Sequence, residues 1–193
     1  APSPAWCRAY TEANQCLDQL LSAAAEAIRR CGYEAAIHPG SHHLTHLHQP
    51  DVDPALLSSS WSQRHVARIC GLGTFGINNL LITRRGCAGR FASLVTNMPL
   101  RPLPQESEER CRAKRGLDCL ACVKRCPVGA LRPGGFDRVA CWNHLVANNK
   151  VSRDHGLPVV NVCGKCCCGV PCAVLGSQES REGDSASEVQ RRP

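Results

Sequence analysis

The residues best equipped for chemistry are cysteines: there are 15 in 193 residues, and ten of them lie between Cys111 and Cys172. In order they read Cys111-x7-Cys119-x2-Cys122-x3-Cys126-Pro127, then Cys141 alone, then Cys163-x2-Cys166, Cys167, Cys168 and finally Cys172. Thiols two or three residues apart converge readily on one centre but bridge one another only with strain. A small secreted scaffold would instead spread its cysteines evenly as staples, and a chain of this length does not need them. The clustering therefore predicts metal ligation. Thiolate ligands in turn call for a reducing, cytoplasmic setting.

The spacing also speaks to the kind of metal. Iron–sulfur ligation commonly uses C-x2-C-x2-C-x3-C-P, whose fourth cysteine serves the other cluster of a pair. Residues 119–127 reproduce the last three cysteines and the proline of that run. Its first cysteine would fall at Gly116, and Cys111 is available to replace it. A C-x2-C turn brings two thiolates to adjacent corners of one cluster, while the x3 step aims the next thiolate at a neighbouring centre. Backbone N–H groups in such loops point at sulfur and offset its negative charge. Two [4Fe–4S] clusters need eight ligands, and Cys111, Cys119, Cys122 and Cys126 with Cys141, Cys163, Cys166 and Cys172 supply that number. Zinc is the main alternative. Cys119-x2-Cys122 and Cys163-x2-Cys166 make a four-cysteine site of two knuckles, but one that leaves the other four idle and Cys-Pro unexplained. A disulfide shell is the remaining alternative.

Elements must position these residues. Leu17, Leu20, Leu21, Ala24, Ile28 and Cys31 recur at helical spacing and predict an amphipathic helix over residues 13–31, stopped by Gly32. Cys16 and Cys31 on or near that stripe read as core packing. YEAAIH reads as a short strand. His38, His42, His43, His46 and His48 follow within eleven residues, flanked by Pro and Gly, and read as a loop open to a metal role. Ser60 to Gln63 matches a capping box opening a helix from Trp61 to Cys70. GLGTFG, residues 71–76, fits a dinucleotide fingerprint by letter only, because a helix precedes it and no acid follows until Glu106. Its glycines read as a helix stop and a turn of close backbone approach. INNLLIT and FASLVTN read as a pair of strands around a turn holding Cys87. Residues 106–118 read as a polar connector and domain boundary, and SQESREGDSASEVQRRP as a disordered tail. Cys7, Cys31, Cys70 and Cys87 receive no role beyond packing.

Net charge is +7. From Pro54 to Gln105 there is no Asp or Glu, yet Arg64, Arg68, Arg84, Arg85, Arg90 and Arg101 all occur. Such a segment suits an anion such as phosphate or a nucleic-acid backbone, or is a solvated basic face. APSPAW lacks a basic start and an apolar core, so it does not read as a secretory signal, and no apolar run reaches membrane-spanning length. With Ala first and Met98 the only methionine, the chain reads as a fragment lacking an upstream segment.

GLGTFGINNLLIT, the strand after it and CLACVKRCPVGAL resemble the epoxyqueuosine reductases and their wider corrinoid/iron–sulfur relatives, over roughly Trp61 to Cys172. With the elements above, this implies an α+β chain. Residues 1–105 would be the C-terminal part of an α/β corrinoid-reductase-like domain, 106–176 a ferredoxin-like double-cluster module and 177–193 the tail. The resemblance implies two [4Fe–4S] clusters feeding a cobalamin, with Gly71, Gly73 and Gly76 beside the corrinoid. It also implies a crossed partition: Cys111, Cys119, Cys122 and Cys172 for one cluster, and Cys126, Cys141, Cys163 and Cys166 for the other. Cys167 and Cys168 stand as competing ligands. The family's aspartate general acid aligns with Leu57, while Asp51 and Asp53 are near but out of register. His65 or the histidine loop is left as a proton source, so no catalytic residue is assigned. Three functions remain open. The first is an iron–sulfur oxidoreductase passing electrons, from a flavodoxin- or ferredoxin-type partner, to a corrinoid or a bound substrate such as tRNA or another anion. The second is a ferredoxin-like electron-transfer protein without its own substrate. The third is a zinc-stabilised nucleic-acid-binding module.

Overall fold

The computed structural model describes residues 1–38, 52–53, 57–59, 61–158 and 160–176; His42, His43, His46, His48, Asp51 and the tail 177–193 lie outside them. The first helix, α1, runs Pro4–Arg30, nine residues longer at its start than the apolar stripe predicts. Ser3 caps it, its hydroxyl accepting the Trp6 amide at 3.2 Å, and Pro4 occupies a first-turn position where no N–H is needed. The buried positions are Cys7, Asn14 and Ala25, whereas Leu20 is 61% exposed and Cys16 and Cys31 are exposed. The core packing expected of Cys16 and Cys31 is thus corrected. Among the described residues α1 packs on β1 (Ala35–Ile37), β6 (Leu94–Thr96) and α4 (Arg138–Asp154), which leaves much of the stripe uncovered.

Between these come a small ribbon, β2 (Val52–Asp53) with β3 (Ser58–Ser59), and then α2 (Gln63–Ile69). The second helix starts two residues later than expected, with Ser62 at its N-cap, and the capping-box Ser60 is outside the described residues. Next stand β4 (Gly73–Phe75), β5 (Leu81–Thr83), the short α3 (Ala121–Lys124), β7 (Leu131–Arg132) and β8 (Gly135–Phe136). The chain is therefore mixed helix and strand. All the described sheets are two-stranded and antiparallel.

INNLLIT and FASLVTN do not pair with each other. β5 folds back on β4, Thr74 opposite Ile82, and β6 pairs with β1, Ala36 opposite Val95. The cause is a tight turn over residues 76–80, closed by the Gly76 amide on the Leu80 carbonyl at 2.9 Å with Asn79 in the left-handed region at φ 57°. With β5 paired to β4 through this turn, β6 takes a distant partner.

The larger core is built around cysteines. Ile82, Cys87, Cys111, Cys122, Leu131 and Val170 are buried together, with Cys126, Cys166, Cys167 and Cys172 packed against them. A smaller core joins Cys7, Trp6 and Tyr10 of α1 to Val151, Leu157, Val160 and Val162. Cys7 is packing, as expected, but Cys70 is exposed. The polar connector 106–118 is stitched to the preceding half. Arg68 donates to the Glu106 carbonyl at 3.0 Å, and the Arg110 amide to the Thr74 hydroxyl at 3.2 Å. The Glu106 carboxylate, 11% exposed, takes Arg110 at 2.7 Å and Arg84 at 3.5 Å.

Candidate metal centre

Two cysteine-lined cavities adjoin one another. The larger, of about 670 Å³, holds Cys126, Cys141, Cys163 and Cys166 in its wall. The smaller, of about 20 Å³, is lined by Cys111, Cys119, Cys122 and Cys172. Asn78 lines both. No other cysteine lines either cavity, so Cys87, Cys167 and Cys168 stand outside the two sets.

Each sulfur arrives on a different local device. Cys122 sits inside α3, and the chain then turns so that Cys126 leaves in another direction, its sulfur accepting the Ala130 amide at 3.2 Å. Asp137 caps α4 through the Ala140 amide at 2.9 Å, setting Cys141 in the first helical turn. The Cys163–Cys166 loop is held from three sides. The Asn148 amide donates to the Val162 carbonyl at 2.8 Å, Arg125 Nε to the Lys165 carbonyl at 3.1 Å and Asn78 Nδ2 to the Cys166 carbonyl at 3.0 Å. Gly164 lies directly under the Trp6 indole, where a Cβ would come within 2.5 Å of the ring.

These supporting residues escape a motif reading. Asn78 and Asn148 leave a signal only as polar residues among apolar neighbours, and both prove buried. Trp6 leaves none, because nothing local ties residue 6 to residue 164.

Electrostatics follow the same grouping. Burial pushes the Cys141 thiol up, and the neighbouring Cys126 and Cys163 push it further. Cys166 is raised to about 12, chiefly by burial and then by Cys141 and Cys163. Cys122 is raised by burial, with Cys172 and Cys111 contributing. Crowded thiols that oppose one another's ionisation are what a cationic centre would relieve. Among the described residues no three His, Cys, Asp or Glu side chains converge closely enough for a single ion. The two x2 pairs of the zinc alternative line different cavities.

The other expected site residues are distributed as follows. Gly71 has φ 79° and ends α2, and a Cβ there would strike the Pro104 carbonyl. A Cβ on Gly73 would strike the Ile82 carbonyl across the hairpin, and one on Gly76 would meet Asn78 and Ile82. The close approach these glycines permit is to the chain's own atoms. Leu57 and His65 both line the larger cavity. His65 shares a hydrogen bond with Ser62 at 2.8 Å and rests against Phe75, ring centroids 4.9 Å apart. Asp53 lies in β2, and His38 stacks on Trp61 at 5.1 Å. Much of the basic segment is engaged internally: Arg68 and Arg84 on Glu106, Arg90 over the Tyr10 ring at 4.1 Å, and Arg64 on the Asn79 carbonyl at 2.5 Å. Arg64 also faces the larger cavity, where burial lowers its pKa and Cys166 opposes that shift.

No family model matches the chain. An epoxyqueuosine reductase of Francisella cf. novicida (strain Fx1) is 30% identical over 92 residues, 47% of this chain and 25% of that protein. The matched region thus spans a quarter of the curated relative. The structure of epoxyqueuosine reductase from Streptococcus thermophilus superposes with a TM-score of 0.51 at 20% identity, covering 82% of this chain and 39% of that one. A crystal structure of selenomethionine-labelled epoxyqueuosine reductase gives 0.40 at 26% identity, over 58% of this chain and 30% of that one. In a stretch of sequence and in backbone fold, this chain is epoxyqueuosine reductase-like.

Proposed function

We propose that the chain is the iron–sulfur part of an oxidoreductase of the epoxyqueuosine reductase type, binding two [4Fe–4S] clusters. One observation carries the reading: eight cysteines spread from residue 111 to residue 172 divide four and four between two adjoining cavities. The division is the crossed one the resemblance implies, with Cys122 and Cys126 four residues apart yet facing different sites. Cys126, Cys141, Cys163 and Cys166 would hold one cluster, and Cys111, Cys119, Cys122 and Cys172 the other. The donor set fits in kind, since four thiolates are the usual ligands of such a cluster. The larger cavity has room to spare, whereas the smaller is tight enough that its thiols must swing outward to take a cluster. When bound, the clusters supply one-electron transfer. The chain's own part is to aim the Ala130 amide at Cys126 and to set Asn78 between the two sites.

The electron acceptor proposed is a corrinoid or a substrate held at the larger cavity, with a flavodoxin- or ferredoxin-type donor and tRNA or another anion as substrate. The three glycines are backed by the chain itself on the side a Cβ would occupy and offer a corrinoid no contact there. A second reading, electron transfer without a substrate of its own, gains from the same glycines and from Leu57 standing where the family carries an acid.

The test is anaerobic purification followed by iron and sulfide analysis. About eight irons per chain and a broad band near ~400 nm are expected. A colourless, zinc-loaded protein would sink both iron–sulfur readings. Corrinoid titration of the cluster-loaded protein then separates the two, since no binding favours simple electron transfer.

A further inference from the structure

Cys87 is a buried thiol, 4% exposed, that lines neither cavity, yet its sulfur lies 3.7 Å from that of Cys172. Sequence places the two 85 residues apart. The backbone holds them side by side: the Cys87 amide donates to the Cys172 carbonyl and the Ala88 amide to the Ala173 carbonyl, both at 2.9 Å, while Leu175 donates to Arg85 at 3.2 Å. A Cβ on Gly86 would strike the Ala173 carbonyl, so the strips touch at that point. Asn78 Nδ2 reaches the Cys87 sulfur at 3.6 Å and limits its swing. The sulfurs start 3.7 Å apart on backbones that are hydrogen-bonded to each other, and closing to bonding distance, ~2.05 Å, is a short movement. The other close pair, Cys167 and Cys168 at 3.8 Å, are sequence neighbours and would close only a small, strained ring.

We propose that Cys87 and Cys172 are a disulfide-forming pair, and that the bond withdraws Cys172 from the donor set of the smaller cavity. The second half rests on the iron–sulfur reading; the bond itself does not. The oxidant is a low-molecular-weight disulfide such as glutathione disulfide. The half-buried Cys172 thiolate attacks it, forming a mixed disulfide and releasing one glutathione thiolate. Cys87 then attacks the Cys172 sulfur, the second glutathione leaves as thiol with the Cys87 proton, and two cysteines are oxidised as one glutathione disulfide is reduced. A filled cluster site would occupy Cys172 and block the first step, so the bond belongs to the iron-free chain. It is a lock on cluster assembly that a thiol reductant opens.

The experiment uses the whole chain, stripped of iron by a chelator under reductant, desalted, treated with glutathione disulfide, alkylated and mapped by mass spectrometry. A Cys87–Cys172 cross-linked peptide is expected as the dominant disulfide, and its absence overturns the proposal whatever the metal content. In parallel, the oxidised chain is reconstituted with ferrous iron and sulfide. Uptake should fall to about half that of the reduced chain, because one of two four-iron sites is lost. Dithiothreitol should restore it, and Cys87→Ser, which has no thiol to resolve the mixed disulfide, should carry glutathione on Cys172 where the unaltered chain carries the cross-link. Uptake by the cross-linked chain equal to that of the reduced chain, or a loss that dithiothreitol does not reverse, overturns the locking role. If the reduced chain takes up no iron, the iron–sulfur reading falls instead, and the peptide map on the unaltered chain still decides the disulfide.

Discussion

At the scale of single residues, burial and partners separate cysteines that look alike in the sequence. Cys122 is buried against Cys111 and Cys172, while Cys16 stands exposed on α1. Cys122→Ala should cut iron to about half by removing one cluster's ligand, whereas Cys16→Ala should leave the iron assay unchanged. Equal losses would refute the partition. Glu106 gives a pH signature. The Arg110 hydrogen bond holds its carboxyl below the ordinary carboxylate range, against the opposing effect of burial. A lowered folded-state pKa contributes stability in full above the unfolded value, about 4.3, and loses it as pH falls through the folded one. Glu106→Gln should therefore cost about 1–2 kcal/mol in urea unfolding at pH 7, and the difference should close in acid, as pH falls through the lowered folded value. A constant cost at both pH values would mean packing rather than charge is responsible.

At the scale of elements, α4 carries one proposed ligand, Cys141, and part of the frame around two more, Cys163 and Cys166. Its N-cap fixes where Cys141 falls in the first turn, and Asn148 lower down anchors the strip leading into Cys163. Asp137→Ala should lower stability by about 1 kcal/mol, read as a drop in thermal midpoint, with a loss of iron confined to the larger site. Asp137→Asn, which keeps an accepting oxygen, should recover most of both. The elements also mark how far local pattern carries. The stop at Gly71, the strand at 35–37 and a short helix before GLGTFG were legible because caps and turns act over a few residues. Which strand pairs with which was not, since β6 closes on β1 almost sixty residues earlier. The exposure of Cys31 and Leu20 was hidden for a similar reason. A helical stripe says which residues share a face, but not whether another element covers it.

At the scale of the whole molecule, the main core and the proposed metal sites are the same object: Cys111 and Cys122 are buried core residues, and Cys126, Cys166 and Cys172 pack against them. Iron removal should then weaken the fold and not merely empty a surface site. Chelation under thiol reductant is expected to lower the thermal midpoint by about 5–10 °C, equivalent to a few kcal/mol. A midpoint that does not move would place the metal outside the core.

The order and spacing of the cysteines are enough to specify the chemistry on offer. A C-x2-C-x3-C-P run, a lone Cys141 and a last cluster of thiols carry an iron–sulfur expectation because ligand spacing is local and short turns fix thiolate directions. The sequence also determined the resemblance, which rests on two short motifs. Ligand spacing alone does not say how the thiols are shared out; the resemblance implies one grouping, and the cavities of the folded chain supply the neighbours. Cys172 joins Cys111, Cys119 and Cys122, Cys126 joins Cys141, Cys163 and Cys166, and Cys87 comes to rest against Cys172. Those neighbours are set by hairpin closure, by the Trp6–Gly164 contact and by buried asparagines reaching across the fold. Such long-range packing leaves no mark on the spacing of any one segment.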